Sequence, residues 1–264
     1  MINELKQIIE TPGGFGNGKL DLHMHSIYSD GTDTAEEMIR YTIDMGLKTV
    51  GLSEHSHTEG DECGMTPERT VAYRAEMAHL KQKYSSRIRI FCGLERDYYS
   101  DDMRDYDYVI GSVHWLRMED GHKLSVDWTT EKQREGIQRY FCGDWYAFSE
   151  AYYELVSQIV DVTNCDIIGH FDLLTKFMEQ DPWFDVQNPR YIHAWQQAAD
   201  ILLQKGKPFE VNTGAISRGY RTDAYPSREI RRYLLEHGGK LILSSDAHRK
   251  EHIEYGFEQY KTEI

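Results

Sequence analysis

Histidines and carboxylates stand where the strand-like runs of this chain end, and they do so repeatedly. Lys19-Leu-Asp-Leu leads into His23-Met-His25, with Asp30 close behind, and Thr49-Val-Gly-Leu-Ser-Glu leads into His55. Ile88-Arg-Ile-Phe-Cys-Gly-Leu reaches Glu95, Tyr108-Val-Ile-Gly-Ser-Val reaches His114, Asp166-Ile-Ile-Gly reaches His170, and Leu241-Ile-Leu-Ser-Ser reaches Asp246-Ala-His248. Side chains alternate between the faces of a strand, so His23 and His25 share a face, as do Asp246 and His248, and each pair suits one ion. A single His-x-His pair carries little weight, because a histidine at a strand end is ordinarily a polar group meeting solvent. The repetition is what constrains the fold: parallel α/β architectures place their ligand sites beyond the carboxyl ends of their strands.

The segments between these runs read as helices. Thr34 is an N-cap followed by Glu36 and Glu37 in the first turn, with Met38, Ile39 and Ile43 at helical spacing and Gly46 as a stop. Thr66-Pro67 is an N-cap and N1 pair that starts a second helix running toward Tyr84. Further helices are expected over 144–160, 189–205 and 227–237. With Pro208-Phe-Glu-Val-Asn212 added, seven strands alternate with helices, the α/β pattern of parallel strands joined by crossovers. Closure into a barrel delivers every strand's last residue to one mouth, whereas a long open sheet leaves its outer ends far apart.

A chain of 264 residues without a composition shift or low-complexity run suits one large domain. The Gly-rich stretch Thr11-Pro-Gly-Gly-Phe-Gly-Asn-Gly18 precedes the first strand, so residues 1–18 read as an N-terminal arm and residues 19–264 as the domain. Cys63, Cys92, Cys142 and Cys165 are scattered without a C-x-x-C pair, and no signal-peptide pattern opens the chain, so a reducing cytoplasm is expected. No apolar run approaches the roughly 18–20 residues of a membrane helix, and no membrane partner is expected. Thirty Lys and Arg against 44 Asp and Glu give a net charge of −14, which opposes attraction to nucleic acid and requires a local cationic site for any anionic substrate.

The set His23, His25, Asp30, His55, Glu95, His114, His170, Asp246 and His248 resembles the metal-ligand set of the polymerase and histidinol phosphatase (PHP) family, and its spacing spans nearly the whole chain. The resemblance implies a distorted (β/α)7 barrel with a trinuclear metal centre at the C-terminal mouth of the strands. It assigns His23, His25, Glu95 and Asp246 to one ion, Glu95, His114 and His170 to a second, and Asp30, His55 and His248 to a third, with Glu95 bridging two of them. Many family members have His where Asp30 stands here, so this third site is expected to lean toward Mn or Fe, while the His-rich sites suit Zn, Fe or Mn. Gly93-Leu-Glu-Arg-Asp-Tyr98, Gly111-Ser-Val-His-Trp115, Asn212-Thr-Gly-Ala-Ile-Ser-Arg218 and Tyr225-Pro-Ser227 look like the histidinol-phosphatase branch, although related enzymes have a shorter segment before the arginine.

Phosphate monoester hydrolysis is among the slowest uncatalysed reactions, and a metal cluster supplies both a nucleophile and charge neutralisation. Arg218 follows strand six in a Gly- and Ser-containing loop, where its guanidinium suits a two-pronged contact with a small-molecule phosphate monoester. Asp246 and His248 are candidates for orienting water or moving its proton. Asn212, Trp115 and Tyr225, with Tyr99 and Tyr220, are candidates for the substrate wall, beside the plainer reading of loop capping and packing. Arg221 and His57 read as ordinary structural residues, and alternation along the strand points Glu54 away from His55. Hydrolysis of histidinol phosphate in histidine biosynthesis is the leading expectation. The alternatives are another small phosphate ester, a nucleotide or a single-stranded DNA end, and a non-enzymatic metal-binding PHP module.

Overall fold

Seven parallel strands wind in chain order around a common interior in the computed structural model, which describes residue 5 and residues 20–263. They are β1 (Leu20–Asp21), β2 (Thr49–His55), β3 (Arg89–Asp97), β4 (Tyr108–Ser112), β7 (Ile167–Ile168), β8 (Phe209–Asn212) and β9 (Leu241–Ser244). Every neighbouring pair is parallel, and the register of β2 on β3 sets His55 beside Glu95. Strands β1 and β9 do not pair directly. A parallel bridge between Met24 and Ala247 draws the barrel shut, with His25 N–H donating to the Ala247 carbonyl at 2.9 Å. The seam therefore runs between the two segments that carry the His-x-His and Asp-x-His pairs.

Inward-facing positions explain how the interior is filled. Tyr108 lies across β2 and β3, and a Cβ on Gly51 or Gly93 would stand 2.3 or 2.2 Å from its side chain, so both strands need glycine there. Phe91, Tyr108, Ile110, Ile167 and Ile242 pack together inside with Leu22 and Leu5. In β3 the same alternation that points Phe91 and Gly93 inward carries Glu95 to the mouth. The expected arm over 1–18 lies outside the described residues apart from Leu5, which is fully buried in this cluster.

The expected helices form: α1 (Ala35–Asp44), α2 (Pro67–Lys83), α4 (Trp145–Thr163), α5 (Pro189–Leu203) and α7 (Arg228–Glu236). The α1 start is a capping box in which Thr34 accepts from Glu37 N–H and Glu37 accepts from Thr34 N–H. Their inward faces cover the sheet with two further apolar clusters, one on α1 and α2 and a larger one on the later helices. Five further strands and helices are not foreseen. An antiparallel hairpin of β5 (Trp115–Arg117) and β6 (Lys123–Ser125), then α3 (Thr130–Tyr140), are inserted after β4, and α6 (Gly214–Ser217) and α8 (Phe257–Tyr260) are single turns. Helix α3 escapes the apolar pattern because it is mostly polar. It seats on the hairpin through Gly136, where a Cβ would stand 2.0 Å from Leu124.

Candidate metal centre

Glu95 is the hub of the barrel mouth. Its Oε2 lies 3.2 Å from His23 Nε2, 3.5 Å from His25 Nε2 and 2.8 Å from His55 Nδ1. Its Oε1 lies 2.8 Å from His170 Nε2 and 3.4 Å from His114 Nε2. Five imidazoles from the ends of four strands, two of them after β1, thus converge on one carboxylate that is almost fully buried. Nearby, Asp246 Oδ1 stands 3.2 Å from His25 Nε2 and 3.5 Å from His248 Nδ1, while Asp30 faces His55 Nε2 at 3.5 Å and His248 Nε2 at 3.2 Å.

The donor atoms form three overlapping groups, each spanning no more than 4.8 Å: His25, Asp30, His55 and His248; His23, His25 and Glu95; and His55, Glu95 and His114. Buried His23 Nε2, His25 Nε2 and Glu95 Oε2 make no hydrogen bond despite their proximity. Buried polar atoms are nearly always satisfied, and imidazole and carboxylate lone pairs aimed at one point fit a divalent transition-metal ion. The grouping differs from the family-implied sets in two respects. His55 reaches Glu95 and His114 as well as Asp30, and His25 joins the Asp30 group. His170 reaches the centre through Glu95.

Electrostatics point the same way. Burial raises the cost of charge on Glu95, yet His55, His23 and His114 hold its carboxyl well below the usual range. For His55 burial works against protonation, but Glu95 and Asp30 outweigh it and push the imidazole up to about 9. His25, buried beside His55 and His248, is pushed down to about 3 and keeps a neutral ring. The cluster thus carries carboxylate charge that needs cations, supplied by protons on some imidazoles or by metal ions.

A surrounding layer of carboxylates aims the rings. His23 Nδ1–H donates to Glu210 Oε1 at 2.7 Å, which leaves Nε2 as the free lone pair, and Glu210 Oε2 accepts from His170 N–H at 3.1 Å. Asp97 Oδ2 stands 3.3 Å from His114 Nδ1 and accepts the His114 backbone N–H at 3.1 Å. Glu54 turns away from His55, as alternation requires, and its carboxylate accepts the backbone N–H and hydroxyl of both Ser26 and Ser29. It thereby fixes the loop between His25 and Asp30. Sequence reasoning missed Glu210 and Asp97 as orienting groups. The available signal was an acidic residue inside an apolar strand run, which is seldom buried unless paired.

Arg218 caps α6 and reaches the mouth, donating to Asp246 Oδ2 at 3.0 Å and to the Asp246 carbonyl at 3.3 Å. Its Nη1 also lies 2.7 Å from His248 Nδ1, which in turn lies 3.0 Å from the Asp246 carbonyl. These two uses of Nδ1 are mutually exclusive: arginine requires a lone pair there and the carbonyl requires a proton. The second tautomer frees His248 Nε2 as a ligand and Nη1 of Arg218 for another acceptor. Asp246 holds a left-handed backbone, φ +48°, a conformation that costs about 1–3 kcal/mol for a non-glycine residue and clusters at functional sites.

A cavity of about 260 Å³ opens over the centre, lined by Asp30, His55, His114, His170, Asp246, His248 and Arg218 and walled by Trp115, Trp128, Tyr220, Asp61, Asp127 and Lys176. Trp115 stands on it as expected. Asn212 and Tyr225 do not: the Asn212 side chain is fully buried, accepting from Gly214 N–H at 2.9 Å and donating to Glu210 at 3.3 Å. Tyr225 is buried beneath, its ring covered by Arg221 at 4.3 Å. Both support the Arg218 loop, because Asn212 and Tyr225 pair their backbones in an isolated bridge. Arg221 donates to Thr175 and His57 contacts the Met65 carbonyl, which are structural uses. Tyr99 packs under Arg117.

The PHP domain family model matches residues 21–214. The "Probable histidinol-phosphatase" of Deinococcus radiodurans is 28% identical over 264 residues, covering 94% of this chain and 93% of that protein. Its namesake in Schizosaccharomyces pombe is 26% identical over 236 residues, covering 81% and 74%. The DNA polymerase/3'-5' exonuclease PolX of Bacillus subtilis is 34% identical over 107 residues, only 19% of its length. Among solved structures, HisK of Listeria monocytogenes superposes with a TM-score of 0.79 at 23% identity, covering 92% of this chain and 100% of that one. The histidinol phosphate phosphatase of Lactococcus lactis, complexed with zinc, L-histidinol and phosphate, superposes with a TM-score of 0.70 at 21% identity, covering 93% and 92%.

Proposed function

This chain belongs to the PHP domain family, and from that premise we propose that it is a metal-dependent phosphomonoesterase that hydrolyses L-histidinol phosphate to L-histidinol and phosphate, a step of histidine biosynthesis. The observation that carries the reading is the convergence of five strand-end imidazoles on Glu95 beneath a small cavity that Arg218 also reaches. The relatives named for this activity cover nearly the whole chain in one case and four-fifths of it in the other.

We assign His23, His25, Asp30, His55, Glu95, His114, His170, Asp246 and His248 as ligands of up to three divalent ions, zinc, iron or manganese. When bound, such ions acidify water and neutralise charge on the phosphoryl group. The chain's own residues do the rest. Arg218, released from His248 in the tautomer that donates to the Asp246 carbonyl, presents Nη1 to a phosphoryl oxygen while Nη2 stays on Asp246. Asp246 remains ionised: burial opposes this, but Arg218 and His23 hold its carboxyl well below the usual range. Its Oδ1, the oxygen not used by Arg218, faces His25 and is the one left to ligate an ion. Trp115 walls the cavity and excludes solvent.

No helix among the described residues is long and apolar enough to cross a membrane, and the four cysteines are free, which supports a cytoplasmic enzyme. A volume near 260 Å³, at or below the lower end of ordinary ligand pockets, and a net charge of −14 favour a small ester over a nucleic-acid strand. The test is to reconstitute the protein with each metal and assay histidinol phosphate, nucleoside monophosphates and single-stranded DNA. Selective release of phosphate from histidinol phosphate, abolished by a chelator, is expected. Activity unaffected by chelation, or confined to DNA ends, would overturn the reading.

A further inference from the structure

We infer that Asp127, which lines the cavity wall together with Trp115 and Trp128, selects phosphate esters whose alcohol carries a positive charge. The inference rests on the phosphomonoesterase reading above and adds to it the residue that recognises the organic half of the substrate. The wall is built by the segment inserted after β4: Trp115 lies in β5, Ser125 closes β6, and Asp127 and Trp128 follow at once. No metal ligand comes from the β5–β6 hairpin or the loop that follows it, so its side chains are left for the part of the substrate that does not react.

This wall sets two carboxylates, Asp127 and Asp61, against one ammonium, Lys176. Asp127 Oδ2 is 3.0 Å from Lys176 Nζ, but Oδ1 takes no hydrogen bond among the described residues. Asp61 pairs with no cation among them and accepts only the Cys63 backbone N–H at 2.9 Å. The indole rings of Trp115 and Trp128 lie 6.4 Å apart, with the Trp115 Nε1–H buried and unpartnered. Aromatic faces beside a carboxylate attract a cation doubly, by ring quadrupole and by charge. The phosphoryl end is drawn instead to Arg218 and the ligand cluster. The cavity is therefore electrically two-ended and matches an ester with a phosphate at one end and an ammonium or imidazolium at the other. An uncharged alcohol gains nothing at the Asp127 end, and an anionic one is repelled.

The metal-loaded enzyme tests this with two substrate pairs, histidinol phosphate against phenyl phosphate and phosphoethanolamine against ethyl phosphate, and with calorimetric binding of L-histidinol alone. The wild type is expected to favour the cationic member of each pair in kcat/KM. Asp127→Asn should lower that ratio roughly tenfold to a hundredfold, the change that follows loss of a charge-assisted hydrogen bond, mainly through KM, and weaken L-histidinol binding in proportion. Asp127→Glu should recover part of the ratio. No cationic preference in the wild type, or an Asp127→Asn ratio equal to wild type with L-histidinol binding intact, overturns the assignment. A preference for cationic esters other than histidinol phosphate sustains it while overturning the narrower substrate reading.

Discussion

Glu210 Oε1 accepts a hydrogen bond from His23 Nδ1 at 2.7 Å, and the same carboxylate takes the backbone N–H of His170 with its other oxygen. One buried side chain on β8 thus fixes the tautomer of the imidazole that follows β1 and the position of the one that follows β7. Glu210→Gln can present an amide NH2 to His23, which favours the tautomer with its lone pair on Nδ1 and turns the metal-facing Nε2 into a donor. The expected result is a 10–100-fold loss of metal affinity at the His23 site, the usual scale for losing an orienting partner. Competitive chelator titration measures it, and unchanged affinity would show that the ring is held by packing alone.

Glu54 organises the opposite approach to the centre. Its oxygens collect the N–H and hydroxyl groups of Ser26 and Ser29, so an amide at this position faces backbone donors that cannot reverse. Glu54→Gln should cost about 1–3 kcal/mol of stability from unsatisfied buried donors. It should also weaken the ion held through Asp30, because the Ser26–Ser29 turn is what delivers that residue. Thermal unfolding of the metal-free protein and metal content after dialysis separate the two effects.

The sequence makes the ligand chemistry legible because that chemistry is concentrated at strand ends, where alternation and position fix direction. His55 and Glu95 fall side by side simply because β2 and β3 pair in parallel register. Alternation also correctly turns Glu54 outward, though not toward any foreseeable partner, since Ser26 and Ser29 lie on a loop whose path no periodicity encodes. Asn212 and Tyr225 were misplaced on the substrate wall for a related reason. The Asn212 side chain is consumed by the turn that carries Arg218, and Tyr225 joins that turn through its backbone with its ring buried, a local arrangement that residue type alone does not reveal. The hairpin that leads into Asp127 and Trp128 is too short, and α3 too polar, to announce themselves.

Proton release should accompany metal uptake. In the metal-free fold Glu95 and Asp30 overcome burial to raise His55 to about 9, so its imidazole is charged at pH 7 and must lose that proton to ligate. Metal affinity is expected to rise with pH until about 9. Stability of the metal-free protein runs the other way. The contribution of His55, whose pKa is raised on folding, is fully present below about 6.5, the unfolded value, and is lost as pH climbs through about 9. Calorimetry in buffers of differing ionisation enthalpy reads the protons directly, and uptake at pH 7 without release would contradict the ion-pair arrangement.

Gly214 lies where Asp246 and Arg218 meet. A Cβ there would stand 2.7 Å from Asp246 Oδ2 and 2.9 Å from Arg218 Nη2, so Gly214→Ala must push apart the pair that links the guanidinium proposed for phosphate to a carboxylate proposed for metal. Two effects compete in folding. Alanine gains up to about 1 kcal/mol over glycine in a helix, offsetting part of the strain in the one-turn α6, so the melting temperature should change little. Catalysis has no such compensation, since geometry at the mouth matters on the scale of 1 Å. We expect kcat/KM for histidinol phosphate to fall about 100-fold with folding nearly intact. Arg218→Ala should lower it comparably, by about 2–4 kcal/mol in transition-state stabilisation, with Arg218→Lys recovering only part because one ammonium cannot hold Asp246 and a phosphoryl oxygen in a planar fork. If Gly214→Ala matched the wild type in kinetics and metal content, the Arg218–Asp246 contact would be incidental to the reaction.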